Sequence, residues 1–145
     1  MLDRLVVRDA SLDEILDLRT TVLIAGTDRD SPAFDGDGDA TTRHFGVFSG
    51  DAVVACASCM RAADGAWQLR GMATAPAFRS QGVGSWLLAH VEAQLLDGHP
   101  GTRLWCNARV RAAPFYERAG WNRVGAVFEI DGVGPHVEMV RASKP

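Results

Sequence analysis

The sequence predicts a mixed α/β fold, in which one sheet carries helices on its faces. Three observations lead to this prediction. Strand-like and helix-like hydrophobic patterns follow each other in the order β-α-β-β-β-α-β-α-β-β. The chain has 145 residues, which fits a single domain, and neither a repeat nor a linker divides residues 1–145. Hydrophobic residues make up 47% of the chain and charged residues 23%, proportions that are ordinary for a globular protein.

The first half of the chain predicts four strands and one helix. A short strand at 5–7 precedes a helix at 12–23, where Ser11 and Glu14 have the spacing of a capping box. Residues 26–42 are rich in Gly, Asp, Ser and Thr and are expected to form a long loop. Strands are then expected at 44–48, 52–60 and 66–74. Regular alternation along the last of them places Trp67, Leu69, Gly71 and Ala73 on one face, and Gln68, Arg70, Met72 and Thr74 on the other.

The second half of the chain starts with a glycine-rich turn. Behind it, apolar side chains at helical spacing predict a helix that ends near Asp97 and Gly98. A strand at 102–106 and a short helix at 109–119 follow, and strands at 123–130 and 136–141 complete the order. The apolar stripe of the longer helix consists of Val83, Leu87, Val91 and Leu95.

The glycine-rich turn is a candidate anion-binding site, because it lies between a strand and the N-terminus of a helix. Its sequence is Arg79-Ser80-Gln81-Gly82-Val83-Gly84. Glycines allow close approach of the backbone, and the first N–H groups of a helix lack intrahelical partners. A diphosphate would accept those bonds at the positive end of the helix dipole. The plainer interpretation is a tight turn. Two nucleotide-binding motifs do not match. The dinucleotide-binding motif requires a third glycine where this chain has Leu87, and the phosphate loop requires a Gly-Lys-Ser/Thr sequence that the chain lacks.

Charge and hydropathy exclude several classes of protein. The net charge of −3 argues against a general nucleic-acid binder, which would normally show a basic excess. The sequence has no apolar stretch of about 18 residues, and its first residues lack the apolar segment of a signal peptide. We therefore expect a cytoplasmic protein that binds neither nucleic acid nor a membrane.

No metal site is expected. Cys56 and Cys59 form a C-x-x-C pattern, but residues three apart on a strand point to opposite faces, so buried structural thiols are expected. The spacing of Asp35, Asp37 and Asp39 is similar to that of a calcium loop. It fails at the two decisive positions, where Ala40 replaces the glycine and Gly46 replaces the bidentate glutamate. The acidic loop is then either a solvated segment or a lid that attracts a cationic substrate.

Two separated motifs resemble those of the GNAT family of N-acetyltransferases, and the resemblance covers almost the whole chain. Arg79-x-x-Gly82-x-Gly84 is similar to the family's pyrophosphate loop. The segment from Asn107 to Trp121 resembles the family pattern Asn-x(4)-Ala-x-x-Phe-Tyr-x-x-x-Gly-Phe, with Trp121 at the position where phenylalanine is usual. The resemblance implies the GNAT fold, with a splayed opening between the fourth and fifth strands, and acetyl-CoA as the co-substrate.

The resemblance implies how the donor would be held. The fourth strand is expected to bulge and to bond the pantetheine arm through its backbone, as strand addition does. The implied contacts to the co-substrate are Met72, Ala73, Thr74, Arg79, Ser80, Gln81, Gly82, Val83, Gly84, Asn107 and Phe115. Each has a structural alternative: strand packing for Met72 and Thr74, a helix N-cap for Asn107, and core packing for Phe115.

The resemblance also implies direct transfer of the acetyl group to an amine. Tyr116, the single tyrosine of the chain, matches the family's general acid, which protonates the departing CoA thiolate. The structural alternative is a tyrosine that only packs. A backbone N–H of the bulged strand would stabilise the oxyanion. The base is left open among Glu129, His136, His44, Glu117 and water, and Arg70 either lies near the acceptor or pairs with an acidic neighbour.

Function is therefore expected to be acetyl-CoA-dependent N-acetylation of a small-molecule or peptide amine. A non-catalytic CoA-binding regulatory module is the alternative, and a longer acyl donor is a variant of the enzyme. Acidic residues in the segments that form the acceptor walls in this family suit a cationic amine, although solvated loops are often acidic too. A homodimer is a further expectation, because dimers are common in the family.

Overall fold

The computed structural model describes residues 4–97, 99 and 101–141. The predicted helix end at Gly98 therefore lies outside the described residues. The described strands form one seven-stranded sheet. In chain order they are β1 (Leu5–Ala10), β2 (Arg43–Ser49), β3 (Ala52–Arg61), β4 (Trp67–Thr74), β5 (Leu104–Arg109), β6 (Trp121–Ile130) and β7 (Gly134–Arg141).

Three α-helices accompany the sheet, together with shorter helical turns. The α-helices are α1 (Leu12–Arg19), α2 (Val83–Leu96) and α3 (Ala113–Arg118). A π-helical turn, Thr20–Ile24, continues α1, so the predicted helix at 12–23 is confirmed. The capping box is confirmed as well, since the Ser11 hydroxyl accepts from the Glu14 N–H and the Glu14 carboxylate accepts from the Ser11 N–H. Within the described residues, no helix combines the length and apolar character needed to cross a bilayer.

The order of strands across the sheet is β1-β2-β3-β4-β5-β7-β6. Of the neighbouring pairs in the described sheet, β4 and β5 are parallel and the others are antiparallel. The predicted mixed sheet is therefore confirmed. The single parallel pair requires a crossover, and α2 supplies it, because it connects β4 to β5.

Two apolar clusters cover the two faces of the sheet. The larger one holds α2 and α3, with Leu87, Leu88 and Val91 fully buried against the sheet. The smaller one holds α1, where Ile15 and Leu18 pack with Cys56 and Ala73. Cys59 belongs to the larger cluster, so the two thiols of the C-x-x-C pattern lie on opposite faces, as predicted. Burial raises the pKa of the Cys56 thiol to about 12, which makes it an inert core residue.

A bulge in β4 changes the pattern of side chains that the sequence predicted. Ser58 of β3 pairs with Arg70, and Cys56 pairs with Ala73, so β4 spans one residue more than β3 over this interval. The extra residue reverses the alternation. Ala73 lies in the α1 cluster, opposite to Trp67 and Leu69, and Met72 packs against the larger cluster. The prediction of a bulge is confirmed, whereas the prediction that Ala73 shares a face with Trp67, and Met72 with Arg70, is wrong.

The bulge lies where β4 and β5 separate. Their pairing covers only Trp67 to Leu69 on β4 and Leu104 to Cys106 on β5 within the described sheet. On its other edge β5 pairs with β7 along its whole length, from Leu104 to Arg109, and Asn107 pairs with Glu138. This splayed arrangement confirms the opening predicted between the fourth and fifth strands. It leaves backbone groups of the end of β4 free for a ligand.

Gly71 is the bulge residue that no other residue type can replace without strain. Its φ is +64°, and a Cβ built there would lie 2.9 Å from the Phe34 ring and 3.1 Å from Arg19 Nε. We expect Gly71→Ala to lower the free energy of unfolding by about 2–4 kcal/mol, because the left-handed backbone and the overpacking each cost energy. Urea unfolding followed by tryptophan fluorescence measures this. Gly38→Ala, which has open space around its Cβ, is the control. Equal stability of the two variants would contradict the expectation.

Candidate active site

The splay between β4 and β5 opens into a cleft of about 550 Å³. The π-helical turn Thr20–Ile24 and the long loop 25–42 form one wall, and the β6–β7 turn forms another. Among the predicted site residues, Met72, Arg79, Asn107 and Tyr116 line this cleft. The size is sufficient for part of a co-substrate and a small acceptor, and the cleft lies at the carboxyl ends of parallel strands, where α/β folds bind ligands.

The glycine-rich turn that is predicted to bind an anion, called the cradle below, lies at the N-terminus of α2. Ser80 and Gly82 both have left-handed backbone, with φ of 63° and 80°, so the turn folds tightly before the helix begins. Such a turn exposes successive N–H groups, and α2 is long enough to carry a macrodipole. Arg79 Nε donates to the Thr74 carbonyl at 3.2 Å, and Gln81 Nε2 donates to the Ala77 carbonyl at 2.9 Å. The first bond ties the cradle to the end of β4, and the second ties it to the helical turn Pro76–Phe78 that precedes it.

The residues of the cradle differ in which of their groups a ligand could contact. Ser80, Gln81 and Gly82 are exposed, whereas the Val83 side chain is buried in the core, so Val83 can offer a ligand only its backbone. Gly84 leaves little room for a side chain, because a Cβ there would lie 3.3 Å from Thr74 Oγ1 and 3.4 Å from Phe115. Phe115 thus packs between α3 and the start of α2. The residues present fit a diphosphate bound through backbone N–H groups with Arg79 beside them.

Asn107 lies inside β5, not at the end of the fifth strand as predicted. The strand continues to Arg109, and Asn107 pairs with Glu138 of β7. The alternative role of a helix N-cap is also wrong, because α3 begins only at Ala113. The strand extends to Arg109, and the helical turn Val110–Ala112 separates it from α3, which is why a strand end at Cys106 and a helix start at Arg109 do not match the structure. Asn107 is exposed at the cleft and free to meet a ligand.

Tyr116 is buried beneath the cleft on α3. Its ring packs against Phe115 and Trp121, with 5.1 Å between ring centroids in each case. Burial, together with the neighbouring Cys106 thiol, holds the pKa of the Tyr116 hydroxyl well above its usual value of 10. The hydroxyl and the Cys106 thiol are hydrogen-bonding neighbours, and burial raises the pKa of that thiol to about 12. Tyr116 therefore keeps its proton at any physiological pH.

Of the four side chains considered as bases, His136 lines the cleft. Its Nδ1 lies 2.8 Å from the Gly134 carbonyl, and because a carbonyl only accepts, Nδ1 carries the hydrogen. In the neutral ring Nε2 is then free to accept a proton. His44 is engaged at both nitrogens, by Ser58 Oγ at 2.6 Å and the Asp37 carbonyl at 3.0 Å. The two glutamates, Glu117 and Glu129, are exposed outside the cleft.

The charge of the cleft is the opposite of what the sequence suggested. Five arginines line it, and none of the described lining residues is acidic. Asp37, one of the loop carboxylates, is instead buried in an ion pair with Arg19. The expectation of a cationic acceptor therefore has no support from the described walls. The arginines are Arg29, Arg70, Arg79, Arg109 and Arg111.

Sequence reasoning missed the residue that holds the loop 25–42 in place. Arg19 is fully buried, and its guanidinium donates to both oxygens of Asp37, at 2.8 and 3.0 Å, and to Ser58 Oγ at 2.7 Å. It also lies 4.2 Å from the centroid of the Phe34 ring. A signal was present, because Arg19 follows Ile15 by four residues and so lies on the apolar face of α1.

The fold and the cleft define a class of protein, one that binds a nucleotide-bearing donor across a splayed mixed sheet. A family model described as the acetyltransferase (GNAT) domain matches residues 40–123, more than half of the chain. The chain therefore belongs to the GNAT family of acetyltransferases.

Relatives and solved structures agree with this assignment. YitI of Bacillus subtilis (strain 168), named as an uncharacterised N-acetyltransferase, is 29% identical over 143 residues, which covers 94% of this chain and 95% of YitI. The crystal structure of Escherichia coli ElaA superposes with a TM-score of 0.83 at 23% identity, covering 95% of this chain and 99% of ElaA. An aminoglycoside 6'-N-acetyltransferase complexed with coenzyme A superposes with a TM-score of 0.73 at 13% identity, covering 97% and 99%.

The chain is thus an acetyltransferase enzyme with an acyl-CoA as its co-substrate. The predictions of the family, the fold and the enzyme class are confirmed. The individual site residues stay predictions, as do the identity of the acceptor and the absence of a metal.

Proposed function

We propose that the enzyme transfers an acetyl group from acetyl-CoA directly to a primary amine of a small molecule or peptide, within a ternary complex. One observation carries this proposal. A single cleft has Arg79, which precedes the N-terminus of α2, at one end, and both the protonated Tyr116 and the His136 ring along its walls. Donor and acceptor can then be held together, which is the main source of acceleration in a direct transfer.

The donor would be held by backbone groups more than by side chains. The N–H groups of the first turn of α2 and the Arg79 guanidinium would bind the diphosphate. Met72, Ala73 and Thr74 would bind the pantetheine arm through the backbone of β4. Asn107 would contact the arm from the opposite wall of the cleft. Gly71 and Met72 have no partner residues in the β3 register, and an N–H of this bulge would stabilise the oxyanion. When bound, acetyl-CoA supplies an activated acyl group with a thiol leaving group.

His136 is proposed as the base that accepts the proton of the amine. It lines the cleft with Nε2 free, and the hydrogen bond from Nδ1–H to the Gly134 carbonyl fixes its orientation. His136→Gln should lower kcat/KM about 100-fold or more, while CoA affinity is retained. Steady-state kinetics, with His99→Gln as the exposed control, measure this. An unchanged kcat/KM in His136→Gln would assign the proton to water.

Purified protein and a thiol-release assay test the function itself. Acetyl-CoA is offered with amines, amino acids, polyamines, aminoglycosides and peptides, and release of free CoA above the hydrolysis background identifies the acceptor class. Initial velocities at varied concentrations of both substrates should give intersecting lines, as a ternary complex requires. A donor series from acetyl to longer acyl-CoA defines the acyl preference. Stabilisation by CoA without acceptor-dependent thiol release would instead support the CoA-binding regulatory module.

A homodimer, a cytoplasmic location and a single domain over residues 1–145 remain part of the proposal. β6 is an edge strand of the described sheet, and its residues 122–129 are all exposed. They include the large apolar side chains Val124, Val127 and Phe128. A second copy of the chain pairing along β6 would cover them. Sedimentation velocity tests this point, and a monomer at every concentration would exclude the dimer.

A further inference from the structure

The acceptor half of the cleft is strongly basic. Arg29 and Arg70 both flank the ring of Phe34, with their guanidinium carbons 4.8 and 4.7 Å from the ring centroid. All three side chains line the cleft and are partly buried. Arg109 lines the cleft too, and its Nη2 donates to the Leu23 carbonyl at 2.8 Å. The cleft therefore holds several cations around one aromatic ring.

These arginines have no carboxylate partner within the described residues. The described ion pairs use other arginines, and Asp37 is already bound by Arg19. Arg29 donates only to the Ala33 carbonyl at 3.5 Å. Arg70 donates to the Asp35 carbonyl at 3.4 Å and approaches the Met60 sulfur at 3.7 Å. Such long contacts leave most of the donor capacity of both guanidinium groups unused.

Burial and the close approach of these arginines lower the pKa of two of them. Burial, and then repulsion from Arg29, lowers the pKa of Arg70 below its usual value. Burial, and then repulsion from Arg111 and Arg29, lowers the pKa of Arg109. A bound anion would relieve the repulsion and satisfy the free donors.

Arg29 and Arg70 are separate from the place proposed for the CoA diphosphate. Arg79 lies at the N-terminus of α2 and donates to Thr74. Arg70 precedes Thr74 by four residues on β4, a distance of roughly 10 Å or more along a strand. It contacts the loop 25–42 beside Phe34, whereas α2 packs on the opposite face of the sheet. The two ends of the cleft would then bind two different anions.

We propose that the acceptor amine carries an anionic group, a carboxylate or a phosphate, which Arg29 and Arg70 bind beside the ring of Phe34. This proposal rests on the transferase function proposed above and names the class of its acceptor. Bidentate guanidinium bonds would fix the orientation of the acceptor and so direct its amine toward the thioester.

Matched pairs of acceptors test the proposal. One arm compares amino acids with their carboxamides, and a second compares aminoalkyl phosphates with the corresponding amino alcohols, so that carboxylate and phosphate are distinguished. In at least one arm, the anionic member should have a kcat/KM about tenfold or more above that of its neutral partner. The amine of an amino amide is less basic than that of the amino acid, so amine availability would favour the neutral member and cannot cause this preference.

Variants of the two arginines assign the preference to the site. Arg70→Met and Arg29→Met should each bring the ratio of the two kcat/KM values toward one, mainly through the KM of the anionic acceptor, and Arg70→Lys should restore part of it. Arg61→Met, an exposed arginine on β3, is the control and should keep the ratio. Equal use of both members in both arms overturns the proposal. So does a ratio unaffected by Arg70→Met while CoA affinity falls, since that places Arg70 on the donor.

Failure of the transferase function is recognised separately. If no acceptor releases thiol, the proposed reaction fails, and the anion site is then decided by binding alone. Calorimetry on CoA-saturated protein compares N-acetyl amino acids with their amides, and N-acetylated aminoalkyl phosphates with their alcohols. Tighter binding of an anionic member, lost in Arg70→Met, supports the site. Equal or absent binding of both members overturns it.

Discussion

Tyr116→Phe is expected to lower kcat by about 100-fold to 10,000-fold while the affinity for CoA stays within about threefold, because general acid catalysis contributes on that scale. The substitution removes one hydroxyl and leaves the packing against Phe115 and Trp121 in place. The raised pKa of that hydroxyl means that the acid form persists, so Tyr116 ionisation should not impose a basic limb on wild-type kcat below pH 10. The proton is thus available when the CoA thiolate departs.

Single-turnover kinetics separate this effect from binding. Mixing enzyme in excess with acetyl-CoA and a saturating acceptor reports the transfer step, and fluorescence titration with CoA reports the affinity. Thermal unfolding serves as the control, since a variant that keeps the Tm of the wild type has kept its fold. Unchanged transfer in Tyr116→Phe would leave the tyrosine with a packing role and would direct attention to water as the acid.

Local patterns in the sequence predicted most of the architecture. Period-2 and period-3.6 hydrophobicity depend on neighbouring residues, and so the order of strands and helices agrees with the structure. The capping box at Ser11 is a local pattern as well. The glycine-rich turn was predictable for the same reason. Its function depends on the strand before it and the helix after it, and both have clear patterns. The splay of the sheet, in contrast, is implied by the resemblance to the GNAT family and not by periodicity.

The features that sequence reasoning missed arise from tertiary contacts. The bulge in β4 follows from the family resemblance, but no pattern within β4 places it at Gly71, where Phe34 and Arg19 lie close to the position that a Cβ would take. The loop 25–42 has no hydrophobic period, so the sequence leaves open whether its acidic residues form a solvated segment or a lid that attracts a cationic substrate. In the structure the buried Asp37 carboxylate forms an ion pair with Arg19, whereas five arginines line the cleft. Counting charges along a segment does not show which of them are already paired.

The second large effect is expected on stability, from loss of the buried ion pair between Arg19 and Asp37. Asp37→Asn should lower the free energy of unfolding by about 3–5 kcal/mol, because it leaves a fully buried guanidinium without its counter-charge. The cost is expected near the upper end, since Arg19 Nε already lacks a hydrogen-bond partner within the described part of the chain. Asp39→Asn, two residues away and exposed, is the matched control and should change stability by less than about 0.5 kcal/mol.

Urea unfolding of a double-mutant cycle measures the coupling. Arg19→Met combined with Asp37→Leu removes both charges, so the double variant should be less destabilised than the sum of the two single variants. Additive losses would mean that the two charges do not stabilise each other. The same variants also test the wall of the cleft that is proposed to bind the acceptor. Arg19 packs against Phe34, and Phe34 packs in turn against Arg29 and Arg70.

The pH dependence of stability gives an independent test of the pair. Burial alone would raise the pKa of Asp37, but hydrogen bonds from the Arg19 guanidinium and the Phe34 N–H, with the Arg19 charge, lower it below its usual 3.8. A carboxyl with a lowered folded-state pKa stabilises the fold fully above the unfolded-state pKa and loses that contribution as the pH falls toward the folded-state value. Wild type should therefore lose stability below about pH 3.8 more steeply than Asp37→Asn. Parallel pH profiles for the two proteins would show that Asp37 does not carry this charge in the folded state.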